Sequence, residues 1–214
     1  MKAAAGFSLV EMLLALSLGL LLLVGGSRVF IGALHSWTVQ EAAARLQEDA
    51  RLVLHRMAGD IRMAGMFGCL RQDSIGFPDA ATARLFEQPI RVDHTAEGGL
   101  RSLTLISAQW GELAGAPDWT LTTDCLASAT VVKGRATAGP GQFAVPIRQQ
   151  TYRLDGRSLL LGSGGSSAVL VDNIGRFGVR RDEDRMLLSL TLEDPGQRVR
   201  PQTYELTVVL RNAQ

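Results

Sequence analysis

"MKAAAGFSLVEMLLALSLGLLLLVGG" (residues 1–26) places a carboxylate, Glu11, at the mouth of a long apolar run. From Met12 to Ser27 no residue is charged, and beyond Arg28 the apolar character resumes with Val29, Phe30, Ile31, Ala33 and Leu34. A helix starting at Phe7 is therefore long enough to span a bilayer, for which about 20 residues suffice. An ionised Asp or Lys at the centre of such a span costs about 2.5–3.5 kcal/mol on insertion scales, and a carboxylate near one end costs less. Glu11 still carries part of that cost, which points to a partner.

The order of features around this run decides what it is. A secretory signal has a basic residue, an apolar region and then a small-residue cleavage site. Here the short leader Met1–Gly6, with Lys2, comes before the apolar segment, and no convincing Ala-x-Ala site follows it. The run reads as a retained transmembrane helix. Lys2 and the initiating amine hold the start in the cytoplasm, which sends the rest of the chain outward.

Downstream the helical period continues. Val39, Ala43, Leu46, Ala50, Val53, Met57 and Ile61 recur at steps of three or four and form one apolar stripe. Other faces carry Glu41, Arg45, Glu48, Asp49, Arg51, Arg56 and Asp60, with Glu41 and Arg45 in the favourable acid-first order. No proline falls between Phe7 and Gly76. Gly25-Gly26 is the place where a bend or local melting is expected, since each glycine weakens a helix by roughly 1 kcal/mol. At about 1.5 Å per residue, a helix from Phe7 to Met63 would be roughly 85 Å long.

Gly65, Gly68 and the turn-rich "DSIGFPDA" (73–80) end the helix, and short β-patterned runs follow. These are 101–107, 129–133, 150–154, 157–161, 168–171, 176–180, 186–192 and 203–211, with Asp155-Gly156 marking a tight hairpin. An antiparallel sheet laid on the amphipathic half of the helix buries both apolar faces. The expected class is α+β.

Composition bounds the function. The chain has 214 residues, enough for one domain with a sizeable core plus an appendage, or two small domains. Its 22 basic and 21 acidic residues give no basic face of the kind nucleic acid requires. Cys69 and Cys125 are too few for a disulfide-rich scaffold and lie in no zinc-like spacing. If the bulk of the chain is exported, these two most simply pair with each other; two buried free thiols are the alternative.

The segment "GFSLVEMLLAL" (6–16) resembles the class III signal of type IV pilins and type II secretion pseudopilins. The resemblance implies that a prepilin peptidase cuts between Gly6 and Phe7 and methylates the new amine, so that the helix stays attached. Glu11 then becomes the fifth residue of the mature chain, placed to meet the N-terminal amine of a neighbouring subunit in a filament. An ordinary uncleaved anchor, with Glu11 in the headgroup region, is the plainer reading. Three further segments, "DIRMAGMFGC" (60–69), "LVDNIGRFGVR" (170–180) and "YELTVVLRN" (204–212), resemble PilW-type minor pilins. They leave residues 70–165 nearly uncovered.

The resemblance implies a pilin-like fold with a leader at 1–6, a transmembrane and assembly helix at 7–36 and a periplasmic globular domain at 37–214. It also implies a non-enzymatic subunit without a cofactor, held in the inner membrane and then incorporated near the tip of an extracellular pilus. Other minor pilins, the major pilin and a tip adhesin are the implied partners. A J-type minor pseudopilin of a type II secretion system, and a membrane-anchored periplasmic enzyme or binding domain, are the rival readings.

Other residues are weighed against plainer roles. "GSGGSS" (162–167) has the glycines of a phosphate loop without the following lysine, and a hairpin connection is expected instead. Asp182, Glu183 and Asp184 could face calcium, but the spacing lacks a multi-ligand loop, so a solvated hairpin tip is expected. His35, His55 and His94 are expected in helix, helix and loop, without a nucleophile in any recognisable elbow. Trp110 and Trp119 could form an adhesive patch or pack under a long loop.

Overall fold

The computed structural model describes residues 8–96, 98–109 and 115–211. In chain order the elements are α1 (Leu9–Met63), a 3-10 turn (Gln72–Ser74), β1 (Ile75–Gly76), α2 (Ala80–Glu87), β2 (Ile90–His94), β3 (Leu100–Ala108), β4 (Trp119–Thr123), β5 (Ala129–Lys133), β6 (Phe143–Asp155), β7 (Ser158–Ser163), β8 (Ser166–Val171), β9 (Ile174–Asp182), β10 (Arg185–Leu192) and β11 (Gln202–Val209). The architecture is α+β: a long apolar helix, then a β-rich region. Two compact units divide the chain, residues 1–45 and 46–214, and α1 contributes to both.

The first unit is the N-terminal part of α1. It is long and apolar enough to cross a membrane, and nothing in its most apolar window is buried. Two of its hydroxyls bond to the helix's own backbone, which suits helix in lipid: the Ser17 hydroxyl donates to the Leu14 carbonyl at 2.8 Å, and Thr38 does the same to His35 at 2.9 Å. Glu41 and Arg45 form the expected ion pair at 2.5 Å. The helix continues without local melting through Gly25 and Gly26, where the sequence placed its weakest point. The leucines Leu20 to Leu23 on the N-terminal side are strong helix formers, and helix continues beyond through Ser27 to Leu34 without a proline, which offsets the glycine cost.

In the second unit α1 supplies one wall of the main core. Leu46, Ala50, Val53, Met57 and Ile61 are buried at the expected three- and four-residue steps, joined by Leu54 and Ala58. Gly65, at φ 79, ends the helix in the left-handed region that glycine enters without steric cost. Opposite the stripe lie Leu103 and Leu105 of β3, Tyr152 of β6, Leu159 of β7 and the inward faces of β9, β10 and β11. Strand β10 shows the period-two pattern plainly: Met186, Leu188, Leu190 and Leu192 are all buried, and the residues between them are half-buried.

The strands form two sheets where the sequence reading drew one. The larger runs β1-β5-β4-β6-β3-β2, with β7 and β8 added beside β6, and the smaller is the meander β9-β10-β11. All pairs are antiparallel except β1–β5. Strand β6 is long because it serves two neighbours on one edge. Phe143 to Ile147 pair with β4, and Gln150 to Asp155 pair with β7. Strand β3 lies along its other edge.

A second core fills the region that the sequence left nearly unassigned. Phe86 of α2 is fully buried, with Phe67 at 4.5 Å, Phe77 at 5.2 Å and Trp119 at 5.5 Å between ring centroids. The two closest to edge-on, Phe77 and Trp119, adopt the geometry that the aromatic quadrupole favours. Ile106, Leu121, Val131 and Ile147 complete it.

Candidate functional site

The N-terminal constellation rests on α1. Glu11 lies in its first turn, where the unpaired N–H groups of a helix start favour a carboxylate. The Met12 N–H donates to the Ser8 carbonyl at 3.1 Å, which begins the helical ladder. Leu9, Val10, Met12, Leu13 and Leu14, which surround Glu11, are all exposed. Gly6 and Phe7, the expected processing site, lie outside the described residues, as does Lys2.

Cys69 and Cys125 are joined in a disulfide, with Cα atoms 5.4 Å apart and a sequence separation of 56. Cys69 follows the end of α1 and is exposed; Cys125 sits in the β4–β5 connection at φ 58. That unusual backbone is held by Asp124. Its Oδ1 accepts from the N–H groups of Leu126 and Ala127, each at 2.9 Å, and of Ser128 at 3.1 Å. These bonds, Leu126 first, bring the Asp124 carboxyl down to about 2. Thr123 adds a hydroxyl that accepts from the Cys125 N–H at 3.0 Å. The staple thus fastens the exit of α1 to the tip of a hairpin in the larger sheet.

Asp79 organises the neighbouring corner. It caps α2 by accepting from the Thr82 N–H at 2.7 Å, and Lys133 of β5 approaches its other oxygen at 2.8 Å. Lys133 first, then the Thr82 N–H, lower the Asp79 carboxyl to about 2. The cap was unread in the sequence because α2 was; Asp79 followed three residues later by Thr82 is the signal that could have found it.

The remaining sequence readings resolve one by one. Glu183 and Asp184 form the two-residue loop between β9 and β10, closed by the Asp182–Arg185 pair. Among the described residues no group of three His, Cys, Asp or Glu side chains is placed to hold a metal ion. Gly164 and Gly165, both at positive φ, make the hairpin loop between β7 and β8, as expected for "GSGGSS". Trp119 is buried against Phe86, which removes it from an adhesive surface; Trp110 lies outside the described residues. His94 closes β2 instead of lying in a loop, and its Nε2 donates to the Val179 carbonyl at 3.0 Å, tying β2 to β9.

Two polar contacts had no signal in the sequence. The Tyr152 hydroxyl donates to Asp60 of α1, with Arg56 4.0 Å from the same carboxylate oxygen. Burial, and then the Asp60 charge, raise the pKa of the phenol. Asp194 accepts from Nε and Nη2 of Arg198 at 2.9 and 2.8 Å, a fork that holds its carboxyl well below the usual range and pins the turn between β10 and β11.

Residues 1–27 match the family model described as the prokaryotic N-terminal methylation motif. No curated protein and no solved structure matches the chain. The motif supports a type IV pilin-like protein anchored by its N-terminal helix. It implies prepilin peptidase processing and assembly with other pilins.

Proposed function

We propose that this chain is a non-enzymatic minor pilin of PilW type, which helps to initiate a type IV pilus and is incorporated at or near its tip. The observation that carries the reading is the register at the N-terminus: Gly6-Phe7, then Glu11, then an uncharged apolar helix. A carboxylate that costs free energy in lipid becomes favourable once it meets a cationic amine, and cleavage before Phe7 creates such an amine on every subunit. The α+β region beyond Leu46 supplies a folded body for the helix to carry. The "DIRMAGMFGC" segment supports the PilW branch, since it leads straight from the end of α1 into the disulfide.

Processing and phenotype test the reading together. N-terminal sequencing of membrane-extracted protein is expected to begin at a methylated Phe7, and a bulky or charged residue at Gly6 is expected to block the cut. Deletion is expected to abolish twitching and surface pili while exoprotein secretion continues. Retention of Met1 would overturn the pilin reading. Lost secretion with intact twitching would move the chain to a type II secretion pseudopilus.

A further inference from the structure

A cleft of about 580 Å³ opens among the segment that follows α1, the end of α2 and one end of the three-stranded sheet. Arg71, Arg181 and Arg211 line it, with Glu87 as the one carboxylate among its lining residues. Topology gathers the three guanidinium groups from distant stretches. Arg181 is two residues beyond Val179 on the face that β9 turns to the core, so it follows Phe177 and Val179 out of the apolar interior to the cleft. Arg211 follows Leu210, whose N–H donates to the Asp184 carbonyl at 2.7 Å and fixes the chain beyond β11 beside the β9–β10 loop.

These arginines are weakly engaged within the chain. Arg71 lies 3.4 Å from Asp73 with both side chains largely exposed, a pairing of little worth in water. Arg181 donates through Nε to the Glu183 carbonyl at 3.4 Å. Among the described residues no ion pair joins Glu87 to any of the three. Three like charges around one concavity favour an anionic occupant, and the guanidinium fork matches a carboxylate in two parallel bonds. The lining also contains Met66, Leu70 and Leu210, together with Glu87. Apolar side chains and a fixed negative charge suit a peptide that alternates carboxylates with apolar residues better than a uniform polyanion, whose charges would meet Glu87.

We propose that this cleft docks an acidic, partly apolar peptide segment of another subunit. That the segment belongs to a subunit rests on the assembly role proposed above; the carboxylate preference rests on the cleft alone. The test uses the full chain purified in detergent and a fluorescein-labelled octapeptide of alternating Glu and Leu, read by anisotropy. Binding is expected to weaken as salt rises, and to fall about tenfold or more in Arg71→Gln/Arg181→Gln. The same peptide with Gln for Glu is expected to bind about tenfold less tightly. Both arginines are exposed, so the double variant is expected to keep the thermal midpoint of the wild type, which separates lost binding from lost fold. Equal binding of the Glu and Gln peptides, or an unaffected double variant, would overturn the site. So would an oligothymidylate that displaces the peptide at equal charge, since it would mark a polyanion surface. If the peptide binds as expected but the processed double variant enters sheared pili normally, the cleft stands and its occupant is not a pilus subunit.

Discussion

The hydroxyl of Tyr152 donates to the carboxylate of Asp60, joining the middle of β6 to the last turn of α1 across 92 residues of sequence. Tyr152 is fully buried, and Asp60 lies at the edge of the helical stripe, so the bond bridges core and surface. Tyr152→Phe keeps the ring and removes the bond. A loss of about 1–2 kcal/mol is expected in a denaturant titration, at the low end for a bond to a carboxylate because water can reach Asp60. The raised phenol pKa adds a sign. Stability held by the neutral hydroxyl is complete below the ordinary tyrosine value of 10.0 and is lost as pH rises toward the higher folded value. The Phe variant is therefore expected to lose stability less steeply above pH 10.0 than the wild type.

The disulfide between Cys69 and Cys125 restrains a long loop in the unfolded chain. In the chain-entropy model that restraint is worth about 4 kcal/mol. Cys69→Ser/Cys125→Ser is expected to lower the denaturation midpoint accordingly, and limited proteolysis is expected to cut first between the two positions. Mass spectrometry of protein taken from cells should show both thiols oxidised.

Acid should loosen the β4–β5 connection. The carboxyl of Asp124 moves from 3.8 down to about 2 because three backbone N–H groups hold its charged form. A depressed folded value means that this stabilisation is complete above 3.8 and is lost as pH falls through about 2. Asp124→Asn retains an acceptor oxygen without the charge. Its thermal midpoint is expected to fall less between pH 5 and pH 2 than that of the wild type, with Asp79 and Asp194 supplying the remaining slope in both proteins.

Glu11→Leu is expected to insert in the membrane and to be cleaved, yet to be depleted from sheared pili. Glu11→Asp, shorter but charged, should retain part of the recovery. A charge pair at about 4 Å is worth roughly 4 kcal/mol at an effective dielectric near 20, and desolvation takes back part of that. Immunoblots of membrane and pilus fractions decide the matter. Normal recovery of processed Glu11→Leu in pili would show that the carboxylate does not recruit the subunit.

Where the apolar period was long, the sequence was legible. The end of α1 at Met63, the buried stripe from Leu46 to Ile61, β5 and the hairpins from β7 to β10 all follow from local pattern. The turn between β6 and β7 shifts by one residue: Gly156 and Arg157 form its loop, with Gly156 at φ 59 in the first central position. From Ile75 to Thr123 only β3, read at 101–107, was legible; the elements on either side of it were not. Helix α2 is eight residues long, β1 has two, and β4 reads "WTLTT", too polar for a core strand until its neighbours are known. Thr123 is nonetheless fully buried, because its hydroxyl donates to the Ser128 carbonyl at 2.9 Å. The split into two sheets was equally hidden, since strand pairing is a long-range property that the alternation of one strand does not encode. The pairing of Cys69 with Cys125 was legible in the sequence, whereas Asp60–Tyr152 and the arginine cleft arise only when distant stretches meet.

The pairing of β3 with β6 bears on how the molecule comes to be folded at all. These strands are shared: Leu103 and Leu105 serve one core and Ile106 the other, as do Tyr152 and Ile147 across the ladder. During synthesis the apolar stripe of α1 emerges first, while Val208 and Leu210, which close the same core, emerge last. Neither core can close before β6 is available, and the main one must wait for β11 as well. Such long-range contacts make folding slow and leave the stripe uncovered meanwhile. A chain arrested before β11 would present Val53, Met57 and Ile61 to whatever apolar surface is nearest, so the order of the strands leaves it to the last one made to cover the first stripe exposed.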